Sequence, residues 1–260
     1  MVRLPEFVDT PLRTAVCLLV LPPGIIFASI LGMVLALLGA PQSRVNIAYT
    51  GYARFCLLMG ATRLEVNGLN RVETDRAYVV VSNHESNWDL PSLVAGLSRL
   101  VVRFVAKKQV MRIPIFGQAL RVTGNVRVVR TETAADVERI RKGMARRAKE
   151  VSVMFFAEGT RSRDGALHPF KKGAFATAIG FGLPILPVAI AGTRPIWPKG
   201  KLRVRRAPVA IEVGEPISTD GFTLDDRATL RDGTFAVVAE LRAAARRRLR
   251  AWGYDPGGVE

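Results

Sequence analysis

The sequence predicts an α/β fold in which a mostly parallel or mixed central sheet is flanked by helices and preceded by an amino-terminal membrane-embedded helical segment. Three observations support this prediction. Short apolar runs that suit buried strands alternate with helical patterns after residue 60. One of these runs, YVVV at residues 78–81, is typical of a strand buried on both faces. Finally, residues 14–43 contain no charged side chain.

The composition indicates a folded chain with an anionic partner. At 260 residues and 49% hydrophobic content, the chain can bury a sizeable core. A formal net charge of +16 favours nucleic acid, a membrane surface or a phosphorylated substrate as the partner, and composition does not choose among them. Cys17 and Cys56 lie in apolar surroundings without a CxxC motif, so we expect two buried thiols rather than a disulfide or a zinc site.

The amino-terminal segment is apolar enough to enter a membrane. Its Pro-Pro-Gly sequence at residues 22–24 is expected to kink or break a helix. The following piece, residues 25–38, is then only about 21 Å long, which is short for a full crossing. Glu6 and Asp9 argue against a cleaved signal peptide, and a soluble core helix of this length would normally have a polar face. A membrane-embedded helix or re-entrant hairpin is therefore favoured, with residues 45–61 as its second piece.

Arginines bracket these apolar pieces. A basic side chain near an anionic leaflet contributes about 1 kcal/mol to membrane binding, and the positive-inside bias keeps such residues on the cytoplasmic side. We therefore expect a protein held at the cytoplasmic face of a membrane, such as a bacterial inner membrane. The arginines concerned are Arg3, Arg13, Arg44, Arg54 and Arg63.

Seven strands are predicted in the remainder of the chain. Residues 133–136 and 223–226 each carry a capping signal that predicts the start of a helix between or after these strands. The last helix is rich in arginine, which suits solvation or contact with anionic lipid better than nucleic-acid binding, because no aromatic residues are interleaved. The predicted strands are residues 63–66, 77–81, 100–106, 126–129, 151–156, 185–190 and 209–213.

The domain organisation follows from the absence of internal repeats and long linkers in the sequence. We expect a membrane-embedded helical segment at residues 1–61, one α/β domain at residues 62–254 and a short tail at residues 255–260.

His84 and Asp89 follow the most apolar predicted strand, where ligands bind in open α/β sheets. A neutral imidazole can accept a proton from a hydroxyl group, and a carboxylate on its other nitrogen fixes the tautomer and stabilises the imidazolium. Five positions apart on one helix, the two side chains would point in different directions. The pair is therefore expected to work with His84 in a loop and Asp89 in the first turn of the next helix.

Two further stretches place polar and cationic groups at the same edge of the predicted sheet. In FFAEGTRS at residues 155–162, Gly159 lets the backbone approach a ligand, Arg161 presents a planar fork that suits a phosphate, and Glu158 is expected to orient or hydrogen-bond. In GNVRVVR at residues 124–130, a glycine precedes two arginines. Together with Lys108 at the end of another strand, we expect His84, Lys108, Arg130 and Arg161 to converge.

Four sequence blocks resemble, in order and spacing, those of the glycerolipid acyltransferase family, and the 1-acylglycerol-3-phosphate acyltransferases in particular. The resemblance covers about residues 63–216. Ala157 stands where the third block of the family usually has proline, and Val128-Val129 replaces Phe-Ile in the second block. The blocks are NHESNWD at residues 83–89, GNVRVVR at 124–130, FFAEGTRS at 155–162 and LPILPVAI at 183–190.

The resemblance implies an O-acyltransferase that makes phosphatidic acid for phospholipid biosynthesis. His84 would remove the proton of the sn-2 hydroxyl of 1-acylglycerol-3-phosphate as that hydroxyl attacks the thioester of acyl-CoA or acyl-carrier protein, and Asp89 would orient His84. No cofactor, metal or acyl-enzyme nucleophile is implied. Residues 186–188 would shape the acyl-donor side. The pocket for the lysophosphatidate phosphate would be formed or supported by Arg130, Glu158, Gly159, Thr160, Arg161 and Lys108.

Other functions stay open on the sequence alone. Relatives with the same blocks acylate glycerol-3-phosphate, lysophospholipids or lyso-ornithine lipid. A Ser/His/Asp lipase is disfavoured because the chain has no G-x-S-x-G motif. A non-catalytic basic protein that binds a membrane would leave the four ordered blocks as coincidence. The expected partners are lysophosphatidate, an acyl thioester, the lipid bilayer and acyl-carrier protein as one candidate donor, but not nucleic acid.

Overall fold

The computed structural model describes residues 6–107, 109–128 and 151–256. Within these residues, six helices and seven strands are present. The helices are α1 (Glu6–Leu37), α2 (Gln42–Met59), α3 (Asp89–Gly96), α4 (Phe116–Val122), α5 (Gly173–Phe181) and α6 (Arg227–Ala251). The strands are β1 (Leu64–Asn67), β2 (Val79–Ser82), β3 (Val101–Lys107), β4 (Val126–Val128), β5 (Val151–Phe156), β6 (Ile185–Ala191) and β7 (Val209–Val213).

The strands form one mixed sheet in the order β1-β7-β6-β2-β5-β3-β4. All neighbouring strands are parallel except β6 and β7, which are antiparallel. At the carboxyl end of the central pair, Ser82 of β2 lies opposite Phe156 of β5. The loops that follow β2 and β5 therefore leave the sheet side by side, and the predicted fold class is confirmed.

The apolar run in β2 is explained by helices on both faces of the sheet. Val80 belongs to a core cluster that includes Trp88 and Leu93 near and in α3. Its neighbours Val79 and Val81 belong to a second cluster under α5 and α6. Because successive strand residues point to opposite faces, a strand covered on both sides needs an apolar residue at every position.

The predicted strands all occur, with bounds within two residues of those expected. Residues 151–156 and 209–213 coincide with β5 and β7. The predicted cap at Thr223 is also confirmed, since its backbone N–H donates to Asp226 Oδ2 at 2.8 Å before α6 begins. The helix predicted from residues 133–136 lies outside the described residues. Cys17 and Cys56 are free, buried thiols, as expected.

Helix α1 corrects one expectation, because it continues through Pro22 and Pro23 without interruption. A proline removes a backbone hydrogen bond and disfavours a helix, but α1 packs closely on α2 at this point. The Tyr52 hydroxyl donates to the Leu21 carbonyl at 3.0 Å, and the ring of Tyr52 lies 3.1 Å from where a Cβ of Gly24 would be. At 32 residues, the unbroken helix is about 48 Å long.

The first two helices combine a buried face with an exposed apolar one. Cys17 and Leu21 of α1 and Cys56 of α2 share the main core cluster with the sheet. Within residues 9–37, the most apolar stretch of 18 residues has a mean hydropathy of 2.4 and is only 22% buried, so α1 is long and apolar enough to cross a membrane by length and composition. The boundary expected at residue 61 stays a prediction.

Candidate active site

His84 and Asp89 meet in the geometry expected from the sequence. His84 lies in the loop after β2, and Asp89 is the first residue of α3. The His84 Nδ1 atom is 2.6 Å from Asp89 Oδ2. The aspartate is fully buried, whereas 19% of the histidine side chain remains exposed. The pair therefore presents one ring edge outward and keeps its carboxylate out of water.

Asp89 is held by donors on both of its oxygens. Oδ2 accepts the backbone N–H groups of Glu85 at 2.6 Å and of Ser86 at 2.8 Å, in addition to the histidine. Oδ1 accepts a hydrogen bond from the Thr193 hydroxyl, which comes from the end of β6. Such a network fixes the carboxylate in position before any ligand binds.

These contacts determine the tautomer of His84. Two N–H groups already donate to Asp89 Oδ2, so this oxygen acts as an acceptor and Nδ1 of the imidazole must carry the proton that it shares with Asp89. In the neutral imidazole, the other ring nitrogen, Nε2, is then a lone-pair acceptor. An imidazole in this state can remove a proton from a hydroxyl group.

The His84 ring is stacked on Phe156, the last residue of β5. The ring centroids are 3.8 Å apart, and the planes differ by 14°. Phe156 in turn stacks loosely on Phe104 of β3, with centroids 6.4 Å apart. The stacking restricts rotation of the imidazole, so the orientation of Nε2 is set by both Asp89 and Phe156.

Glu158 joins the two loops that leave β2 and β5. Its Oε1 atom accepts the His84 backbone N–H at 2.7 Å, and its Oε2 atom accepts the His168 backbone N–H at 3.0 Å. Burial raises the pKa of the Glu158 carboxyl group, while the N–H groups of His84 and His168 lower it. Glu158 thus hydrogen-bonds to the backbone of both loops, and its part in substrate binding stays a prediction.

The residues after Glu158 turn toward the same loop. Gly159 adopts φ +71°, a left-handed conformation in which a side chain would be strained, and its position lies against the aliphatic part of Lys171. Arg161 Nη1 donates to the Asn87 side-chain oxygen. The Thr160 hydroxyl accepts a hydrogen bond of 2.8 Å from Lys199. Glu158 and Arg161 thus each contact the loop of residues 83–88 that carries His84.

Two further predicted site residues, Lys108 and Arg130, lie outside the described residues. The register of the adjacent strands is described, with Lys107 opposite Val128. The structure therefore brings together His84, Asp89, Glu158, Gly159, Thr160 and Arg161, and the convergence of Lys108 and Arg130 with them stays a prediction.

An apolar cavity of about 410 Å³ opens beside this loop. Asn87, Trp88 and Leu90 line it on the side of His84, and the other walls come from α1, α2, β3 and α4. Arg103 of β3 also lines it, with its guanidinium donating to the carbonyl of Thr123 and to the side-chain oxygens of Asn46 and Gln42. Burial lowers the pKa of Arg103 to about 10. The wall is otherwise largely hydrophobic, which suits a hydrocarbon chain.

Several contacts in the site could not be read from the sequence blocks. Asp89 is contacted by Thr193, His84 by Phe156, and Arg161 by Asn87. Of the three partners, only Phe156 had a sequence signal, namely its position at the end of a predicted strand. The Arg242 side chain from α6 binds Glu85 Oε1 at 2.6 Å, and it also donates to the Gly165 carbonyl. This guanidinium therefore ties the loop after β2 to the loop after β5.

Residues 186–188 lie within β6, where all seven residues are buried. As part of the strand next to β2, they support the site from the core, and their contribution to the acyl-donor side stays a prediction. Among the described residues, no group of three His, Cys, Asp or Glu side chains is arranged to hold a metal ion.

Comparisons with known proteins identify related acyltransferases. The family model described as Acyltransferase matches residues 63–191, which include the loops after β2 and β5 and end with β6. A 1-acyl-sn-glycerol-3-phosphate acyltransferase from Limnanthes douglasii is 37% identical over 153 residues, which make up 58% of this chain and 54% of the relative. The protein of the same name from Haemophilus influenzae is 32% identical over 191 residues, 71% of this chain and 75% of the relative.

The extent of these matches differs between relatives. The chain spans about half the length of the plant relatives, with 54%, 57% and 45% covered in three of them. The crystal structure of the 1-acyl-sn-glycerophosphate acyltransferase PlsC from Thermotoga maritima superposes with a TM-score of 0.74, over 92% of this chain and 98% of that chain. At 24% sequence identity, this similarity shows a shared fold.

Proposed function

The chain belongs to the 1-acylglycerol-3-phosphate acyltransferase family, and from this premise we propose that it transfers an acyl chain from a thioester to the sn-2 hydroxyl of 1-acylglycerol-3-phosphate. The product is phosphatidic acid, an intermediate of phospholipid biosynthesis. The donor is acyl-CoA or acyl-carrier protein. The observation that carries the proposal is the pair formed by His84 and Asp89 at 2.6 Å, placed next to an apolar cavity.

The pair supports general base catalysis. Nε2 of His84 accepts the proton of the acceptor hydroxyl while the hydroxyl oxygen attacks the thioester carbonyl carbon. The imidazolium that forms is stabilised by the buried carboxylate of Asp89. As the tetrahedral intermediate collapses, the carbon–sulfur bond breaks, and the imidazolium returns the proton to the departing thiolate. The ester and the free thiol are the products, and His84 is again neutral.

The loop after β5 supports binding of the acceptor phosphate. Arg161 supplies a guanidinium fork, and Gly159 adds no side chain of its own to the loop. Glu158 holds the loop against His84 through the backbone hydrogen bonds described above. We assign Lys108, Arg130 and Thr160 to the same phosphate pocket on the strength of the family blocks.

The cavity of about 410 Å³ suits one acyl chain. Its lining by Trp88, Leu90 and Leu97 on one side and by Leu18, Leu21 and Ile25 on the other is apolar. Burying a hydrocarbon chain there gains about 0.8 kcal/mol per methylene group. The acyl chain thus lies between the α/β part and the first two helices.

The first two helices support attachment to the membrane in which the acceptor resides. Large apolar side chains are exposed on their outer faces, among them Leu19, Phe27, Leu37, Ile47 and Leu58 with exposures of 66% or more. We place the protein on the cytoplasmic face of the bacterial inner membrane, where a water-soluble donor can reach His84.

An acceptor panel tests this function. The purified protein is given labelled palmitoyl-CoA together with 1-acylglycerol-3-phosphate, glycerol-3-phosphate, lysophosphatidylethanolamine or lyso-ornithine lipid. We expect labelled phosphatidic acid to form with the largest kcat/KM. If another acceptor is acylated preferentially, that acceptor and not lysophosphatidate is the substrate. Hydrolysis of the thioester without transfer to any acceptor would contradict the proposal that the protein is an acyltransferase.

A further inference from the structure

A second cavity, of about 370 Å³, lies on the other side of the catalytic loop and is basic. Glu85, the residue after His84, lines it together with Ser162, whose backbone N–H donates to the His84 carbonyl at 2.8 Å. The volume lies in the range of small-molecule sites. Five cationic side chains line the same cavity: Arg163, Arg194, Lys199, Lys201 and Arg203.

The carboxylate in the lining of this basic pocket does not balance the positive charge around it. The single carboxylate in the lining, Glu85, is already paired with Arg242 at 2.6 Å. Within the described part of the chain, the side chains of Arg163, Arg194 and Arg203 form no ion pair with a carboxylate. The Nε atom of Arg203 is buried and has no hydrogen-bond partner there. Guanidinium groups that have no carboxylate partner around a concave site favour a ligand with several anionic oxygens.

The two cavities are separated by one segment of chain. Trp197 lines the apolar cavity, while Pro195 and Pro198 on either side of it line the basic pocket. A ligand with its thioester carbon at His84 can therefore extend an acyl chain into the apolar cavity and an anionic group into the basic pocket. An acyl-CoA has this arrangement of groups. Its acyl chain lies on one side of the thioester, and a long pantetheine arm on the other side leads to the phosphates of its nucleotide.

We propose that the basic pocket binds the nucleotide phosphates of a coenzyme A thioester, which makes acyl-CoA the donor. This proposal rests on the acyltransferase function proposed above. A concave site of this volume suits a compact polyphosphate better than the broad surface of a carrier protein, which would need a wide contact area. The phosphate of the acceptor is left to Arg161, which is not part of this pocket's lining.

The test compares donors that differ only in their phosphates. Palmitoyl-CoA and palmitoyl-pantetheine carry the same thioester, but the second lacks the nucleotide. In the double variant Lys201→Ala/Arg203→Ala, we expect the KM for palmitoyl-CoA to rise about tenfold, as for the loss of charge-assisted hydrogen bonds. The KM values for palmitoyl-pantetheine and lysophosphatidate stay at the wild-type level. Arg206→Ala is the matched control, because Arg206 is an exposed cation of the same segment outside the pocket.

Retained turnover with palmitoyl-pantetheine shows that the double variant is folded. Equal losses with both donors, a raised KM for lysophosphatidate, or an effect confined to acyl-carrier protein would overturn the assignment. Calorimetric titration with adenosine 3′,5′-bisphosphate is independent of turnover, and we expect at least tenfold weaker binding to the double variant than to the wild type. If no thioester supports transfer in the wild type, the proposed function fails, and this titration still decides the ligand of the pocket.

Discussion

The substitution Asp89→Asn isolates the charge of the aspartate from its hydrogen bonds. The amide oxygen can occupy the position of Oδ2, where it still accepts the N–H groups of Glu85 and Ser86 and the Nδ1–H of His84. The amide NH₂ then faces the Thr193 hydroxyl, which can accept as well as donate. The local fold is therefore retained. What the variant lacks is the negative charge that stabilises the imidazolium formed during the reaction.

The size of this loss follows from the contact that is weakened. Hydrogen bonds to charged groups are worth about 1.5–3 kcal/mol, and each 1.36 kcal/mol of barrier is about tenfold in rate. We expect kcat for transfer to lysophosphatidate to fall about 10- to 100-fold, with the KM values for donor and acceptor nearly unchanged. Steady-state kinetics on the purified variant give kcat and KM separately.

A second aspartate provides the control for this experiment. Asp164 is exposed and binds His168 Nε2 at 3.0 Å, so Asp164→Asn makes the same chemical change in a histidine–aspartate pair away from the reacting atoms. That variant should keep the wild-type kcat. An unaltered kcat in Asp89→Asn, or an equal loss in both variants, would refute the assignment of Asp89 as the group that stabilises the imidazolium.

Three further predictions concern the acceptor, the buried charge and the membrane. Arg161→Ala should raise the KM for lysophosphatidate roughly tenfold with little change in kcat, and an unaltered KM in steady-state assays would argue against a phosphate contact. Burial raises the pKa of Glu85 to about 6, so its contribution to stability is present below its ordinary pKa and is lost as the pH rises through 6. By denaturant titration, the unfolding free energy of the wild type should fall by about 2 kcal/mol as the pH rises from the ordinary pKa of a glutamate through 6, whereas that of Glu85→Gln should not. If the unfolding free energies of both proteins depend on pH in the same way, the raised pKa of Glu85 is refuted. The full-length protein should stay in the membrane pellet after alkaline carbonate extraction, and recovery in the supernatant would exclude embedding of α1.

The sheet was readily predictable because its strands are short apolar runs bounded by polar turns. β5 and β7 have the predicted bounds. The first four residues of β5 and all five residues of β7 are buried. The pair of His84 and Asp89 was predictable too, because the two residues are only five positions apart and one loop-to-helix transition brings them together. Local sequence determines both features.

Contacts between distant residues could not be predicted in this way. Thr193 lies 104 residues from Asp89, and Arg242 lies 157 residues from Glu85. Their pairing depends on which strands neighbour each other and on where α6 crosses the sheet, and no local pattern encodes this. The break that was expected at Pro22 and Pro23 does not occur in α1, and the reason is the same. Packing on Tyr52 of α2 outweighs the local preference of proline.

Removal of the His84 side chain tests the central claim most directly. The chain has two histidines, so His168→Ala is a matched control whose backbone contact with Glu158 is retained. In a single-turnover assay with labelled palmitoyl-CoA and lysophosphatidate, His84→Ala should form phosphatidic acid about 10²- to 10⁴-fold more slowly than the wild type, while His168→Ala should remain within a few-fold. Phosphatidic acid formation by His84→Ala at the rate of His168→Ala would contradict general base catalysis by His84.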